Sequence, residues 1–268
     1  MNTLQTNVTV AGIFSKPNFQ SEMINQSLIW EKLIILDEYK NWFKVRQFDQ
    51  YEGWINKFYT LSDNQINDNF KYVKEFKLIN TIYTASNKNS QPILNCTFGS
   101  KIPYLDMIKT KNSTWYNVVL PNKNSGWIDQ KNVSNTYSIR DFIEKNIKNF
   151  IGIPYLWGGR SSYGFDCSGF VQTIFNFFDV KFPRDSKDQY KFDYLQTQDK
   201  KYNKVGDLLF FKKNNKINHV AISLGADKYI HASGFIKVNS LNRHDNDFNQ
   251  SLYSIYECSK SIESLTSK

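Results

Sequence analysis

The chain contains 268 residues, of which 40% are hydrophobic and 16% aromatic, which is enough for about two or three globular domains with buried cores. Its net charge is +9, but the lysines are interleaved with asparagines along the whole sequence and form no basic block, which argues against nucleic acid as a partner. Three widely spaced cysteines, an odd number, argue against a disulfide framework and favour a reducing compartment.

Membrane association is not indicated by the sequence. No apolar run approaches the roughly 20 residues that a membrane-spanning helix needs. The opening sequence, MNTLQTNVTV, contains neither the basic segment nor the apolar segment of a signal peptide. We therefore expect a cytoplasmic protein without a membrane or nucleic-acid partner, and the sequence leaves its oligomeric state open.

A sequence repeat organises the first half of the chain. Trp42 is followed twelve positions later by Trp54 of a Gly-Trp-Ile sequence, and Trp115 is followed at the same distance by Trp127 of a second one. Both copies also contain short segments of alternating apolar and polar residues between turn-forming residues, which is typical of strands. The pattern predicts two small β-barrels, with Trp42 and Trp115 buried in their cores.

The two copies resemble bacterial SH3-like (SH3b) domains, and the Gly-Trp-Ile sequence that closes each copy is the most characteristic element. The resemblance assigns one SH3b domain to residues 1–62 and a second to residues 78–136. Between them, residues 63–77 are polar and charged with little periodicity, which predicts a linker or a short helix.

The sequence changes character at Ile139. The segment that follows, RDFIEKNIKNFIG, places apolar residues at helical spacing, and a second segment of this kind, CSGFVQTIFNFF, begins at Cys167 after a glycine-rich turn. Downstream, VGDLLFFKK, NHVAISLG and KYIHASG predict three strands, and the last two carry His219 and His231. The second half is therefore predicted to be an α+β domain.

Cys167 is a candidate nucleophile because it is predicted to lie at the N-terminus of a helix. The free amides and the positive end of a helix favour a thiolate, lower the pKa of a cysteine, and can donate to an oxyanion. His219 is a candidate base and His231 a candidate for orienting its ring, provided that the strands pack against the helix. Without further motifs, a small buried residue is an equally good interpretation of Cys167.

Six motifs of the second half, taken in order, resemble those of the NlpC/P60 cysteine peptidases. They are Tyr155-Leu156-Trp157-Gly158-Gly159, Asp166-Cys167-Ser168-Gly169-Phe170, Pro183-Arg184-Asp185-Ser186 with Gln189, Gly206-Asp207-Leu208, Asn218-His219-Val220-Ala221-Ile222 and Ile230-His231-Ala232. The resemblance covers residues 137–258 and leaves residues 259–268 as a C-terminal tail. It implies an α+β fold in which a papain-like NlpC/P60 catalytic domain follows two small SH3-like β-barrels.

The domain order resembles that of three-domain γ-D-glutamyl-L-diamino acid endopeptidases, which act on murein peptides. This resemblance implies that Cys167 attacks the carbonyl of γ-linked D-glutamate, that His219 transfers the protons, and that His231 orients His219. It also places Tyr155 beside the oxyanion. The residues implied to bind the L-Ala-γ-D-Glu part of the substrate are Trp157, Asp166, Ser168, Asp185 and Ser186.

Several of these side chains also have a purely structural interpretation. Tyr155 and Trp157 are large enough to pack in the core, and Asp166 can cap the helix that begins at Cys167 while still contacting substrate. Arg184 is expected to support local structure rather than to touch substrate.

In the first SH3b domain, Glu22 and Tyr51 are implied to close the pocket and to hold the free amino group of the peptide. A carboxylate that faces an ammonium group gains a charge-assisted hydrogen bond, whereas an N-acylated peptide leaves the carboxylate unpaired. Free stem peptides would then be preferred to intact cell wall, as expected for peptidoglycan recycling. A solvated Glu22 and an ordinary barrel Tyr51 are the competing interpretations.

Two other functions remain compatible with the sequence. One is a non-catalytic protein that binds the cell wall through its SH3b domains, and the other is an amidase or acyltransferase on the same scaffold. The Cys and His spacings match no zinc pattern, so we expect neither a metal nor another cofactor. His244 lies in a polar stretch and is expected on a surface loop without a role.

Overall fold

The computed structural model divides the chain into two compact units. They comprise residues 1–135 and 136–268. The described residues are 2–62, 70–111, 113–130 and 137–266. In this described part of the chain, no helix is both long enough and apolar enough to cross a membrane.

The first half of the N-terminal unit is an antiparallel sheet of seven strands in the order β3-β2-β6-β5-β4-β1-β7. Half of the adjacent strand pairs in the sheet are also neighbours in sequence, because short turns suffice to join antiparallel strands. A turn of 3-10 helix at Lys57–Tyr59 precedes the last strand. The strands are β1 (Thr3–Thr6), β2 (Val10–Phe14), β3 (Met23–Leu28), β4 (Lys32–Tyr39), β5 (Trp42–Arg46), β6 (Glu52–Asn56) and β7 (Thr60–Ser62).

The second half of this unit repeats the arrangement with six strands in the order β10-β9-β13-β12-β11-β8. The strands are β8 (Lys71–Lys74), β9 (Ile79–Tyr83), β10 (Pro92–Thr97), β11 (Lys101–Lys109), β12 (Thr114–Val119) and β13 (Ser125–Gln130). β8 lies within the segment 63–77 that the sequence predicts to be a linker, and it pairs with β11 as β1 pairs with β4 in the first copy. Residues 63–69 of that segment lie outside the described residues.

The two sheets also share a packing detail at the Gly-Trp-Ile sequences. A Cβ atom at Gly53 in β6 would lie 2.4 Å from a methyl carbon of Ile13, and one at Gly126 in β13 would lie 2.5 Å from the same atom of Ile82. Both distances are too short for a side chain, so glycine is required for the close approach of the neighbouring strand. The sequence repeat is therefore a structural repeat.

The first tryptophan of each copy is buried, as the repeat predicts. Trp42 is 6% exposed and Trp115 is 7% exposed. Phe14 and Phe19 pack against Trp42 with ring centroids 5.7 and 4.7 Å away, and Tyr83 packs against Trp115 at 6.2 Å. These aromatic contacts explain why both positions carry a large apolar ring.

The C-terminal unit combines a six-stranded antiparallel sheet with helices. A two-stranded ribbon and 3-10 turns at Ile147–Phe150 and Lys200–Tyr202 complete it. The elements are α1 (Ile139–Asn146), β14 (Arg160–Ser161), β15 (Gly164–Phe165), α2 (Cys167–Phe177), α3 (Ser186–Tyr190), β16 (Gln196–Gln198), β17 (Leu208–Lys213), β18 (Lys216–Ser223), β19 (Lys228–Ser233), β20 (Phe235–Ser240), α4 (Gln250–Tyr253), β21 (Tyr256–Ser261) and α5 (Glu263–Thr266).

The main sheet of this unit has the order β16-β21-β17-β18-β19-β20. The three predicted strands are confirmed as β17, β18 and β19, and the sequence analysis missed the other three. β21 returns from the end of the chain to pair with both β16 and β17. Because of this pairing it continues to Ser261, beyond the predicted boundary between domain and tail at residue 258.

Both predicted helices of this unit are confirmed. Ser138 caps α1 in a capping box with Asp141, which explains where the helix begins. α2 is buried on more faces than its apolar spacing indicates, since Gln172 and Thr173 are buried too. Their side chains donate to backbone carbonyl oxygens of other segments at 2.9 and 3.0 Å, which compensates for their loss of water contact.

Candidate active site

Cys167 is the first residue of α2, as the sequence predicts. The preceding residue, Asp166, is the N-cap, and its Oδ1 accepts a hydrogen bond from the Gly169 N–H at 2.6 Å. Aspartate is a preferred N-cap residue because its carboxylate satisfies an amide of the first turn that has no partner within the helix. This cap determines where the helix begins and therefore where Cys167 lies.

A buried ion pair supports the N-cap. Arg184 is 3% exposed, and its guanidinium donates to both carboxylate oxygens of Asp166 and to Ser168 Oγ. Asp166 also accepts from the Gly158 N–H at 3.0 Å. The N-cap role of Asp166 is confirmed, and Arg184 supports this cap. The expectation that Arg184 does not touch substrate stays a prediction. Since Asp166 and Ser168 already have these partners within the protein, their contact with substrate stays a prediction.

A close backbone approach attaches the glycine-rich turn to α2. A Cβ atom at Gly169 would lie 2.1 Å from the carbonyl oxygen of Gly159, so only glycine is compatible with this contact. Tyr155 precedes the turn and is half-buried. Burial, followed by the neighbouring Cys167 and Asp166, raises the pKa of Tyr155 above its ordinary value of 10. The phenol is therefore protonated at neutral pH and available as a donor.

Cys167 is buried, with 8% of the residue exposed. Loss of water contact, followed by the Asp166 charge, raises the pKa of Cys167 to about 12. The backbone N–H groups of Val220 and Ser168 act in the opposite direction, as does the Arg184 charge, but they are outweighed. The expectation of a low pKa from the helix N-terminus is therefore wrong for the protein without substrate, because burial dominates.

Strands β18 and β19 bring the two predicted histidines together. His219 Nε2 lies 2.8 Å from His231 Nδ1, and the two rings meet at 84°. Val220, whose N–H is directed at the Cys167 sulfur, directly follows His219 on β18. The C-terminal unit thus pairs His219 with His231 and places the residue after His219 against Cys167. The catalytic roles of the three residues stay predictions.

Both histidines are neutral near pH 7. Loss of water contact, together with the nearby His231, lowers the pKa of His219 to about 3. Loss of water contact also lowers the pKa of His231 to about 4, although its hydrogen bond with Asn239 acts to raise it. A neutral imidazole keeps one nitrogen lone pair, so the pair can accept a proton.

The sequence analysis did not identify Asn239, which contacts the second histidine. Asn239 Oδ1 lies 2.9 Å from His231 Nε2, and Asn239 Nδ2 donates to the Asp247 carbonyl oxygen at 2.8 Å. In the β19–β20 hairpin, Asn239 pairs with Tyr229 and is the diagonal neighbour of His231 on the same face. A hairpin predicted around Gly234 would have indicated this contact, but β20 was not among the predicted strands.

The other predicted pocket residues lie in segments attached to the start of α2. Trp157 is 60% exposed, which contradicts the alternative that it packs in the core. Asp185 immediately precedes α3 and Ser186 is its first residue, and both are partly exposed. Gln189 of α3 donates to the Ser168 carbonyl oxygen at 2.9 Å, which ties α3 to α2. Substrate contacts of these side chains stay predictions.

Glu22 and Tyr51 belong to the N-terminal unit. Glu22 is exposed just before β3, and its carbonyl oxygen accepts from the Ser15 N–H at 2.9 Å. Tyr51 is half-buried just before β6, and its N–H donates to Asp49 Oδ1 at 3.1 Å. Their predicted contact with the amino group of a substrate stays a prediction.

The remaining candidate residues have ordinary surroundings. Cys96 is buried and Cys258 is partly buried, and both are free thiols like Cys167. His244 is exposed in the loop before α4. Among the described residues, no three His, Cys, Asp or Glu side chains converge as they would to hold a metal ion.

Comparison with protein families identifies two regions of the chain. The NlpC/P60 family model matches residues 152–255, which include Cys167, His219 and His231. The GW (Gly-Tryp) dipeptide domain model matches residues 67–134, which contain β8 to β13 and the second Gly-Trp-Ile sequence.

Relatives align with most of the chain. A γ-D-glutamyl-L-lysine dipeptidyl-peptidase of Bacillus cereus is 27% identical over 233 residues, which are 79% of this chain and 68% of the relative. Dipeptidyl-peptidase 6 of Lysinibacillus sphaericus is 27% identical over 258 residues, which are 91% of this chain and 93% of the relative. The crystal structure of an NlpC/P60 family protein from Bacillus cereus matches with a TM-score of 0.82 at 22% identity, covering 97% of this chain and 99% of that chain.

The structural match shows the NlpC/P60 fold, with several β-sheets and few helices. The family match covers the segment that contains Cys167 at the start of α2 and the two histidines on β18 and β19. The chain therefore contains an NlpC/P60 cysteine peptidase domain, matched at residues 152–255.

Proposed function

We propose that the chain is a γ-D-glutamyl-L-diamino acid endopeptidase. It hydrolyses the bond between γ-linked D-glutamate and the diamino acid of murein stem peptides, and it releases L-Ala-D-Glu from peptides whose L-alanine has a free amino group. The reaction uses no cofactor. It serves the recycling of cell-wall peptides in the cytoplasm.

The observation that carries the proposal is the hydrogen-bonded histidine pair on strands whose backbone reaches the thiol at the start of α2. The Cys167 sulfur is approached by the N–H of the residue that follows His219, and His219 is hydrogen-bonded to His231 at 2.8 Å. A thiol, a neutral imidazole and a polar group that orients the imidazole form the set that acyl transfer by a cysteine requires.

In the first half of the reaction, His219 accepts the thiol proton while Cys167 Sγ attacks the D-glutamyl carbonyl carbon. The two events are coupled, because the thiol has a pKa of about 12 and is protonated beforehand. The phenol of Tyr155 and amides of the first turn of α2 donate to the oxyanion. The imidazolium of His219 then protonates the departing amine, and a thioester remains on Cys167.

In the second half, water replaces the departed amine. His219 takes a proton from the water molecule as its oxygen attacks the thioester carbonyl carbon. The tetrahedral intermediate collapses with cleavage of the carbon–sulfur bond, and the sulfur of Cys167 recovers the proton from His219. The products are L-Ala-D-Glu and the shortened peptide, and the enzyme returns to its initial state.

The substrate class is supported by the relatives that align with most of the chain, which are named γ-D-glutamyl-L-lysine dipeptidyl-peptidase and dipeptidyl-peptidase 6. Lysine and diaminopimelate at the third position of the peptide are both to be tested. The side chains that we propose to bind the L-Ala-γ-D-Glu part are Trp157, Asp166, Ser168, Asp185 and Ser186.

We further propose that the β-rich first half consists of two SH3b domains, at residues 1–62 and 78–136, in front of a papain-like peptidase domain at 137–258. The shared strand order and the matching Gly-Trp-Ile packing support two domains of one type. In this arrangement, Glu22 and Tyr51 bind the amino group of the substrate.

Mass spectrometry of peptide cleavage tests the proposed reaction. The full chain is incubated with L-Ala-γ-D-Glu-L-Lys, with the diaminopimelate peptide, and with the N-acetylated form of each. Cys167→Ala is the control for the nucleophile and Glu22→Gln is the matched neutral variant for the amino-group contact. We expect L-Ala-D-Glu from free peptides only, no product with Cys167→Ala, and a raised KM with Glu22→Gln.

Other outcomes lead to different conclusions. Cleavage of free and acetylated peptides at equal rates would keep the peptidase and refute the amino-group contact. Absence of cleavage combined with binding of purified cell walls would indicate the non-catalytic wall-binding alternative. Release of a whole stem peptide from intact peptidoglycan would instead indicate an amidase.

A further inference from the structure

Asn239 occupies a defined place next to the histidine pair. It lies on β20 opposite Tyr229, and its Oδ1 is 2.9 Å from His231 Nε2. The other nitrogen of that ring, Nδ1, is 2.8 Å from His219 Nε2. A continuous chain of hydrogen bonds therefore leads from the Asn239 amide through His231 to His219.

The orientation of the Asn239 amide is determined by its other partner. Asn239 Nδ2 lies 2.8 Å from the Asp247 carbonyl oxygen, and a carbonyl oxygen can only accept a hydrogen bond. If the amide were reversed, two oxygen atoms would face each other there. The same carbonyl oxygen accepts from the Ser240 N–H at 3.0 Å, which holds it in place. Asn239 consequently presents its oxygen, and not its NH2 group, to His231.

The amide orientation determines which ring nitrogens carry protons. Because Asn239 Oδ1 is an acceptor, His231 Nε2 must carry the proton and donate. A neutral imidazole has a single N–H, so His231 Nδ1 is left as an acceptor. His219 Nε2 then carries its proton and donates to it, which leaves His219 Nδ1 as the unprotonated nitrogen. Burial lowers the pKa of both histidines, so the neutral forms predominate at pH 7.

We propose that Asn239 is a positioning residue of the peptidase, which fixes the protons on both histidines and so reserves Nδ1 of His219 as the base. This inference rests on the proposed function for its catalytic consequence. When His219 Nδ1 accepts the proton of Cys167, the resulting imidazolium donates through Nε2 to the lone pair of His231. No proton has to leave His231 during this step.

Without Asn239 the opposite arrangement of protons becomes available. His231 can then carry its proton on Nδ1 and donate to His219 Nε2, which places the proton of His219 on Nδ1. In this tautomer His219 has no lone pair on Nδ1, and it cannot receive the thiol proton there. Substrate binding is unaffected, so the loss appears in kcat and not in KM.

The tautomers are measured directly by 15N NMR of the full chain labelled at histidine. The sequence contains three histidines, and His244→Gln identifies the signals of the exposed one. In the unsubstituted protein we expect Nε2 protonated and Nδ1 unprotonated for both His219 and His231. The same samples are then assayed for cleavage of the free tripeptide.

Two substitutions of Asn239 separate positioning from folding. Asn239→Leu has a similar volume and no acceptor, so both histidines are expected to populate the other tautomer and kcat to fall roughly 10- to 100-fold at unchanged KM. Asn239→Asp keeps an acceptor for His231 Nε2 and adds a negative charge beside His231, whose other neighbours are Lys237 and the rings of His219 and Tyr229. This variant also loses the hydrogen bond to the Asp247 carbonyl oxygen, which costs part of its stability and activity. It is expected to keep the tautomers, to retain more activity than the leucine variant, and to move the acid limb of the pH profile to higher pH.

Asn249→Asp is the matched control. Asn249 caps α4 in the same loop region, and aspartate serves equally well as an N-cap. This variant adds the same charge and should show the tautomers and rates of the unsubstituted protein.

The proposal is overturned if His219 carries its proton on Nδ1 in the unsubstituted protein, or if Asn239→Leu changes neither tautomers nor kcat. If the leucine variant does not fold, the tautomers of the unsubstituted protein and the pH profile of Asn239→Asp still test the role of Asn239. Absence of peptidase activity in every sample would refute the proposed function, whereas the NMR measurement would still test the role of Asn239 in fixing the tautomers.

Discussion

The nucleophile side and the base side of the proposed catalytic centre are supported by different physical means. Cys167 is positioned by charges, because its N-cap Asp166 is paired with Arg184 and their side chains are only 10% and 2% exposed. His219 is positioned by neutral groups, namely the ring of His231 and the amide of Asn239.

The difference has consequences for the protonation of each group. Burial, followed by the Asp166 charge, raises the pKa of Cys167, whereas burial, followed by the neighbouring His231, lowers the pKa of His219. The resting pair is therefore a thiol and a neutral imidazole. The Asp166–Arg184 ion pair holds the start of α2 in place, but the Asp166 charge disfavours the thiolate of Cys167. The neutral hydrogen bonds of His231 and Asn239 determine which nitrogen of His219 carries a proton.

Charged side chains also lie on the base side: Lys237 pairs with His231 across the hairpin, and a cluster of three lies beyond Asn239. Lys228 Nζ lies 2.8 Å from Asp245 Oδ2 and also contacts Asp247, whose carbonyl oxygen holds the Asn239 amide. Unlike the Asp166–Arg184 pair, these side chains are between 26% and 40% exposed. Water and salt screen this cluster, so we expect it to contribute less than the buried pair.

The largest effect is expected from Arg184→Met, which leaves Asp166 buried without its cation. We expect the C-terminal unit to lose about 3–5 kcal/mol of unfolding free energy, because a buried charge without a partner is strongly destabilising. The measurement is urea unfolding read from the NMR amide signals of α2.

Arg46→Met is the matched control for this substitution. Arg46 and Glu52 also form an arginine–carboxylate pair, at 2.7 Å, but their side chains are 34% and 35% exposed. The loss of unfolding free energy in Arg46→Met, measured from the amide signals of β5, should be much smaller than in Arg184→Met. If Arg46→Met destabilises its unit as much as Arg184→Met does, burial is not what distinguishes the two pairs.

The neutral histidines predict how stability depends on pH. The folded-state pKa values of His219 and His231 are about 3 and 4, below the unfolded value of 6.5. Between pH 6.5 and about 4 the unfolded chain therefore binds more protons, so stability is fully present above pH 6.5 and falls as the pH falls. Each histidine should contribute a slope of about 1.4 kcal/mol per pH unit within this window.

Urea unfolding between pH 4.5 and 7.5, read from α2 amide signals, measures this slope. His231→Gln should reduce it by about half, since one of two titrating groups is removed. A slope that is unchanged in this variant would show that other groups cause the acid sensitivity.

Asp166→Asn sharpens the comparison on the nucleophile side. Asparagine still caps α2, but removal of the negative charge beside a retained Arg184 should lower the pKa of Cys167. Alkylation by iodoacetamide at pH 8 should accelerate about tenfold for each unit by which the pKa falls. Peptide mass spectrometry gives the rate, with Cys258 of the same unit as internal reference.

Arg184→Met should slow the alkylation of Cys167, because the positive charge is the one removed. Equal rates for both variants and the unsubstituted protein would mean that these charges do not control the thiol.

The smallest effect is expected from Lys228→Met in the solvated cluster. Because the lysine acts through the loop that holds Asn239, kcat should stay within about threefold of the unsubstituted protein at low salt. At about 1 M NaCl the difference should disappear, since salt screens exposed charges. Steady-state kinetics at both salt concentrations measure the difference in kcat. A large difference that persists at high salt would contradict the solvated character of the cluster.

Much of the fold was predictable from local patterns. The apolar spacing predicted α1 and α2, and the alternation in β17 to β19 predicted three strands of the main sheet. β21 was not predictable, because its position between β16 and β17 depends on pairing with segments distant in sequence. β8 was missed for a related reason, since its polar sequence shows little periodicity until it pairs with β11.

The candidate site was predictable to a similar extent. The motifs identified Cys167, His219 and His231, because they retain the family's local sequence around each residue. Asn239 has no such motif, and only the register of the β19–β20 hairpin places it beside His231.

The sequence by itself determined the repeat, the helix that begins at Cys167, and the identity of the residues that carry the proposed chemistry, because these depend on neighbours along the chain. Only the tertiary structure decided the protonation states of Cys167 and the two histidines, and which residues hold them in place. The pKa of Cys167 is high because distant segments bury the thiol, and the tautomers of the histidines follow from Asn239 and the Asp247 carbonyl oxygen. Burial and hydrogen bonding between separate segments exist only in the folded chain.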